Sequence, residues 1–225
     1  EVAKKAKVLW INYPNNPTSK MAPRSFLEEI VSWAQKNNII VCSDAAYTEV
    51  FYGNERPLSL LEIDGAKEVV IEFHSLSKTF NMTGWRIGFA AGNADIVAGL
   101  GKIKTNIDSG IFEPIQIAGI AALKNPDWTN SMRQGYEERH KFFTQGLEKI
   151  GFDIACAEAA FYIWVAVPKG LTSTEFSTKL LKEKGIVATP GNGFGEYGEG
   201  FIRFTLTAEI KRLEETVERL KNLKC

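Results

Sequence analysis

The sequence predicts an α/β fold in which part of a large, mostly parallel-sheet domain is followed by a smaller α+β domain. Short, nearly uninterrupted apolar runs alternate with longer segments whose apolar residues recur at helical spacing. Strands that are apolar on both faces are typical of parallel sheets covered by helices. After "KIGFD" the pattern of apolar residues changes, and short apolar strands predominate. These three observations carry the prediction.

The first part contains four predicted strands, at 8–12, 39–44, 68–75 and in "IGFAAG". A helix begins at Pro23, because apolar residues recur at 26, 27, 30, 31 and 34. "ADIVAGLGKIKTN" and "EPIQIAGIAALKN" predict two more helices, and a long polar helix covers roughly 127–149.

The second part contains predicted strands at 159–167, 186–189 and 200–207, and helices at about 173–184 and 208–223. We place the domain boundary inside the long helix. Residues 1–135 then form the C-terminal portion of the large domain, and residues 136–225 form the small domain.

Composition excludes several classes of function. Lys and Arg together number 27, as do Asp and Glu, so no net charge attracts nucleic acid or an anionic membrane. No apolar run reaches 18 residues. Cys42, Cys156 and Cys225 are odd in number and widely spaced, which favours reduced thiols in the cytoplasm over disulfides. We expect neither nucleic-acid nor membrane partners.

Polar groups follow three predicted strands, where ligands of open α/β sheets gather. They are Asn16 in "INYPNNPTS", Asp44 and Tyr47 in "SDAAY", and Ser75, Ser77 and Lys78 in "HSLSK". Each has an ordinary alternative. Asn16 would hold its own turn, Asp44 would cap a helix, and Lys78 would be a surface lysine. The serines would be turn hydroxyls, and Arg86 would pair with a carboxylate.

Together these groups fit one chemistry. A partly desolvated lysine offers a nucleophilic amine, and an arginine with serine hydroxyls binds an anion. An aspartate keeps a heterocyclic nitrogen protonated, while a phenol and an amide donate to a ring oxygen. The cofactor that needs all of these groups is pyridoxal 5'-phosphate.

At these residues the sequence resembles a known family. "NYPNNPTS", "DAAYTEV" and "SLSKTFNMTGWRIG" resemble the signature segments of the fold-type I, class I and II pyridoxal-phosphate aminotransferases, whose fold is aspartate-aminotransferase-like. The resemblance implies that Lys78 is the Schiff-base lysine and moves the substrate's α-proton. It implies that Asp44 contacts the pyridine nitrogen and that Tyr47 and Asn16 contact the ring oxygen. Ser75, Ser77 and Arg86 would hold the phosphate.

The small domain extends the resemblance. "GEGFIRFTLT" resembles the strand whose arginine binds the substrate α-carboxylate, which implies Arg203 in that role with Asn16 beside it. Without the family, Arg203 would pair with a surface carboxylate such as Glu199. "TPGNGFG" resembles a glycine-rich turn near the substrate entrance. Two residues stand where the family commonly has glycine. Ala159 puts a backbone role at that position in doubt, whereas Ser19 is expected to be tolerated in a turn.

The segment from "EFHSLSK" to "IAGIAAL" most resembles the LL-diaminopimelate aminotransferases of bacteria and archaea, which use 2-oxoglutarate as the amino acceptor. The resemblance implies an amino acid and a 2-oxo acid as substrates, and a homodimer. Three alternatives stay open: an aspartate or alanine aminotransferase, a C–S lyase, and a non-catalytic fragment. Because the chain enters a strand almost at once, we expect a preceding segment, and the resemblance implies that this segment holds a phosphate loop and a ring-stacking aromatic residue.

Overall fold

The computed structural model describes residues 5–223, which form two compact units. One unit holds residues 5–14 and Met21–Arg133, and the other holds Asn15–Lys20 and residues 134–223. The loop Asn15–Lys20 therefore belongs with the second unit, whereas the sequence prediction assigned it to the first domain. The domain boundary at residue 135 stays a prediction.

The sheet of the first unit is mostly parallel, as predicted. Its strands are β1 (Val8–Asn12), β2 (Ile40–Asp44), β3 (Val70–Ser75) and β4 (Gly88–Gly92), in that spatial order. The first three run parallel, and β4 runs antiparallel to β3. All four predicted strands are present within two residues of their expected starts.

Helices surround this sheet and connect its strands. They are α1 (Arg24–Asn37), α2 (Ala66–Val69), α3 (Leu76–Thr79), α4 (Ala94–Ile107), α5 (Glu113–Leu123) and α6 (Pro126–Lys149), with single 3₁₀ turns at Leu60–Glu62 and Thr83–Trp85. α6 contributes residues to both units. Within residues 5–223, no helix is both long enough and apolar enough to cross a membrane.

α1 shows how the sequence builds this core. Its apolar stripe buries Leu27, Ile30, Val31 and Ala34 in a cluster with residues of β2 and β3. The helix ends at Asn38, which adopts a left-handed φ of 54° and donates its N–H to carbonyls of the last turn. That ending directs the chain into β2, and so fixes where β2 reaches its carboxyl end.

The second unit has a four-stranded antiparallel sheet in the order β5, β6, β8, β7. Its elements are β5 (Ile154–Cys156), β6 (Tyr162–Ala166), α7 (Ser173–Lys184), β7 (Thr189–Pro190), β8 (Phe201–Thr205) and α8 (Ile210–Leu220), with 3₁₀ turns at Gly191–Phe194 and Glu196–Gly198.

One prediction for this unit was wrong, and one strand was missed. The strand predicted at 186–189 is a strand only at Thr189, because the preceding residues close the end of α7. Gly185 is left-handed there, and the N–H of Ile186 bonds the carbonyl of Leu180. The short β5 was not predicted, since three residues give no readable alternation and its pairing with β6 is irregular.

Candidate functional site

The carboxyl ends of the first three strands lie at one edge of the sheet. Asn12 and Asp44, the last residues of β1 and β2, are register partners, and Asn12 Nδ2 donates to the Asp44 carbonyl at 2.9 Å. Ser75 ends β3 and lies opposite Gly88, the first residue of the antiparallel β4. The segment that enters β4, including Arg86, therefore reaches this same edge.

Lys78 lies against Tyr47 at this edge. Lys78 is on α3, directly after β3, and Tyr47 is in the turns directly after β2. The Lys78 Nζ is 5.8 Å from the centroid of the Tyr47 ring, and Tyr47 is only 5% exposed. Lys78 itself is half-buried on a helical turn, so the surface-loop alternative was wrong. The structure brings together the two residues predicted for the amine and the phenol.

The Asp44 carboxylate is exposed at the end of β2. Its Oδ1 accepts from the N–H of Ala46 at 3.4 Å, but the residues that follow form turns and not a helix. The helix-cap alternative was therefore wrong. An exposed carboxylate one strand away from Lys78 is available to a ligand.

Arg86 and Ser77 are linked through Thr83. Arg86 has a left-handed φ of 53° and donates to the Thr83 carbonyl at 2.8 Å. The Thr83 hydroxyl in turn donates to the carbonyl of the buried Ser77 at 3.2 Å. The alternative of a carboxylate partner for Arg86 is not what the described bonds show. Thr83 was missed at the sequence level, since a lone threonine in a turn carries no signal.

Ser75 also lines a cavity of about 350 Å³ in the first unit. His74, Phe89 and Arg133 share the lining, and Arg133 pairs there with Glu49 at 3.0 Å. Ser75 is the one predicted residue among those that line it. Neither Lys78 nor Tyr47 is among the residues that line this cavity.

The residues at the sheet edge fit pyridoxal phosphate by the chemistry of their donor set. Lys78 supplies an amine against a phenol, and Asp44 supplies an exposed carboxylate for a protonated ring nitrogen. An exposed guanidinium and two serine hydroxyls come from the same edge, as an anionic phosphate requires. These are the groups that the sequence predicted for the cofactor in the first unit.

In the second unit, Arg203 on β8 is surrounded by polar and aromatic groups. Its Nη1 donates to Asn16 Oδ1 at 2.5 Å, and its Nη2 lies 3.5 Å from Thr189 Oγ1. The guanidinium carbon is 4.1 Å from the ring centroid of Tyr162 and 4.7 Å from that of Phe194. Its Nε is buried and has no hydrogen-bond partner among residues 5–223. An unpaired buried donor is uncommon in folded proteins, and a bound water, ion or ligand is one explanation for it.

The alternative for Arg203 was wrong. The Glu199 carboxylate accepts from the N–H of Ser173 at 2.8 Å, and within residues 5–223 it forms no ion pair with Arg203. Asn15 holds the turn, because its Oδ1 accepts from the N–H and the hydroxyl of Thr18 at 3.1 and 2.8 Å. The neighbouring Asn16 accepts from Arg203.

The chain belongs to the class I and II aminotransferase family, whose model matches residues 1–220. Members of this family depend on pyridoxal phosphate. The chain is 56% identical to the LL-diaminopimelate aminotransferase of Aquifex aeolicus over 225 residues and 54% identical to that of Syntrophobacter fumaroxidans. It spans 58% of the length of both relatives, which cover 100% and 99% of the chain.

Solved structures of similar fold support the assignment to this family. Substrate-bound BacF from Bacillus subtilis matches 99% of this chain with a TM-score of 0.94 at 37% identity, and the match covers 57% of that protein. A probable N-succinyldiaminopimelate aminotransferase from Thermus thermophilus matches 98% of the chain with a TM-score of 0.91 at 35% identity, over 59% of its own length. The aspartate-aminotransferase-like fold predicted from the sequence is confirmed.

Proposed function

We propose that this chain carries the reactive lysine of a pyridoxal-phosphate-dependent LL-diaminopimelate aminotransferase. The enzyme moves an amino group between LL-diaminopimelate and a 2-oxo acid such as 2-oxoglutarate. The contact of Lys78 Nζ with the Tyr47 ring at the carboxyl edge of the sheet is the observation that carries the proposal. The choice of LL-diaminopimelate is supported by the names of the relatives at 50–56% identity.

The residues divide the chemical tasks in this proposal. Pyridoxal phosphate supplies a ring that accepts electrons from the substrate's α-carbon when its nitrogen is protonated. Asp44 would keep that nitrogen protonated, and Tyr47 would donate to the ring oxygen. Arg86, Ser75 and Ser77 bind the phosphate. Lys78 takes the proton from the α-carbon and returns it to complete the transfer.

Arg203 and Asn16 bind the α-carboxylate of the amino acid and of the oxo acid. Arg203 offers the buried Nε that has no partner among the described residues, and Asn16 holds the neighbouring Nη1. A guanidinium is suited to this task, because two parallel N–H groups match the two carboxylate oxygens.

Lys78→Ala tests the assignment, with Lys67→Ala as its matched control. Lys67 is an exposed lysine on α2 whose loss should leave the rate unchanged. Removing Lys78 deletes both the nucleophile and the base, so glutamate formation from LL-diaminopimelate and 2-oxoglutarate should fall by at least about a thousandfold. A visible absorption band with pyridoxal phosphate should also disappear. Retained turnover would contradict the proposal.

The identity of the amino donor is tested by comparing kcat/KM for different amino acids. LL-diaminopimelate should have a higher kcat/KM than aspartate or alanine. Faster turnover of either would leave an aminotransferase but exclude the proposed substrate. Release of pyruvate and ammonia from a C–S substrate would replace aminotransfer by elimination.

We also propose a cytoplasmic homodimer. Cys42 and Cys156 are free thiols, as a reducing compartment favours, and Cys225 lies outside the described residues. The helices α4 and α5 and the segment between them expose four large apolar side chains, each more than half exposed, and these support a second copy as partner: Ile103, Ile107, Phe112 and Ile117. Light scattering should give twice the monomer mass, and a monomer would contradict the dimer.

A further inference from the structure

We propose that Phe194 is a positioning residue that clamps Arg203 against Tyr162, so that the Arg203 guanidinium is presented to the substrate carboxylate in one fixed orientation. The inference rests on the proposed function, and it deepens the role given to Arg203. It begins from the geometry of two rings. The guanidinium carbon lies 4.1 Å from the Tyr162 ring centroid and 4.7 Å from that of Phe194, so both rings are within the range of a cation–π contact.

The two ring contacts leave few degrees of freedom to the guanidinium. Nη1 and Nη2 are held by Asn16 and Thr189, so Nε is the buried donor that stays without a partner among the described residues. A long, flexible arginine side chain loses conformational entropy when it is ordered, and ordering it beforehand removes that cost from substrate binding. The clamp would therefore act on substrate affinity.

The segment that carries Phe194 is itself well anchored. Gly191 and Gly198 approach so closely that a Cβ built on either would lie 2.0 Å from the other's carbonyl oxygen. Asn192 Nδ2 donates to Thr174 Oγ1 at 3.0 Å, and the Phe194 ring packs edge-on against Trp164 at 6.2 Å. Phe194 is nevertheless 40% exposed. Its exposure is explained if its ring serves Arg203 and not the core.

Phe194 holds Arg203 through the face of its aromatic ring, and an apolar side chain of similar size cannot replace that contact. Phe194→Leu keeps an apolar side chain but removes the π face, whereas Phe194→Tyr keeps the ring. Loss of a cation–π contact corresponds to a roughly three- to thirtyfold change in affinity. We expect Phe194→Leu to raise KM by that factor for both LL-diaminopimelate and 2-oxoglutarate, because both present an α-carboxylate. The kcat should change less, and Phe194→Tyr should resemble the native protein.

Tyr197→Leu is the matched control. Tyr197 is on the adjacent turn and is 93% exposed, so its loss should alter neither KM nor thermal stability. A normal KM for Phe194→Leu would overturn the clamp. So would a rise in KM for only one of the two substrates, because that result would place Phe194 against a substrate side chain.

A binding measurement separates this proposal from the proposed function. The Kd of 2-oxoglutarate is measured by calorimetry on protein saturated with pyridoxal phosphate, for the native chain and for both Phe194 variants. A Kd raised by Phe194→Leu but not by Phe194→Tyr supports the clamp even if the native protein transfers no amino group. An unchanged Kd overturns the clamp even if transamination is confirmed.

Discussion

The Ser19 hydroxyl donates a hydrogen bond of 2.6 Å to the carbonyl oxygen of Tyr162, which lies 143 positions later in the chain. Ser19 is fully buried with a left-handed φ of 63°, and its carbonyl accepts from the N–H of Ala159 at 3.0 Å. The loop that carries Asn16 is thereby tied to β6. Ser19 was expected only to be tolerated in a turn, but its hydroxyl makes a hydrogen bond that glycine cannot make. The Ala159 N–H also takes part, through its bond to the Ser19 carbonyl.

Ser19→Ala should destabilise the protein more than Ser19→Gly does. Alanine loses the hydroxyl and leaves the Tyr162 carbonyl with one bond fewer, at a cost of about 1–3 kcal/mol. Glycine loses the same bond but relieves a left-handed backbone strain of roughly 1–2 kcal/mol. The free energy of unfolding from urea titrations measures both variants. Equal values would show that the backbone at Ser19 is not strained.

Asn16→Ala and Asn15→Ala should have separate effects although the residues are adjacent. Asn16→Ala leaves Arg203 Nη1 without the acceptor that orients it, and substrate KM should rise by about tenfold or more. Asn15→Ala removes the turn bonds to Thr18, so the free energy of unfolding should fall by about 1 kcal/mol with a smaller effect on KM. Steady-state kinetics and urea unfolding of both variants distinguish these outcomes. A larger KM effect from Asn15→Ala would contradict the assignment.

Glu72 should make stability depend on pH in the acid range. It is almost fully buried, and its carboxylate accepts from the Ser59 hydroxyl at 2.8 Å and the Leu60 N–H at 2.9 Å, with His74 Nε2 at 2.8 Å. Burial alone would raise the pKa of Glu72, but hydrogen bonds from His74, Ser59 and Leu60 outweigh it and lower that pKa below the usual 4.5.

The sign follows from the lowered pKa. The stabilising contribution of Glu72 is present above pH 4.5 and is lost as the pH falls through the lower pKa of the folded state. Glu72→Gln should therefore weaken the acid dependence of the free energy of unfolding, and it should destabilise the protein near neutral pH. Urea titrations between about pH 3 and 7 measure this, with the exposed Glu29→Gln as control. An unchanged acid slope for Glu72→Gln would refute the prediction.

Gly191→Ala should disturb the segment around Phe194, whereas Gly193→Ala should not. The new Cβ at 191 would lie 2.0 Å from the Gly198 carbonyl oxygen and 2.7 Å from that of Phe201, and neither backbone atom can yield cheaply. A loss of about 1–3 kcal/mol in stability is expected, with a higher substrate KM. At Gly193 nothing lies within 4 Å of an added Cβ. Thermal unfolding and kinetics of the two variants provide the comparison, and equal behaviour would show that the close approach is unimportant.

Much of the first unit could be predicted because its signals are local. The apolar runs of β1, β2 and β3 are short and continuous, and the stripe of α1 repeats at helical spacing. Parallel strands place their carboxyl ends at one edge, so the positions of Asp44 and Lys78 after neighbouring strands were enough to predict that they share an edge. The second unit was predicted less well, since β5 and β7 are too short to show a period.

The sequence by itself determined the alternation of strands and helices, the family and the edge at which Lys78, Tyr47 and Asp44 gather. Only the tertiary structure decided that Asn15 bonds Thr18 in the turn, and that Tyr162 and Phe194 enclose the guanidinium of Arg203. It also decided that the Ser19 hydroxyl bonds β6. The physical reason is that such contacts depend on chain segments far apart in sequence, and no local period or turn preference encodes which side chains will meet.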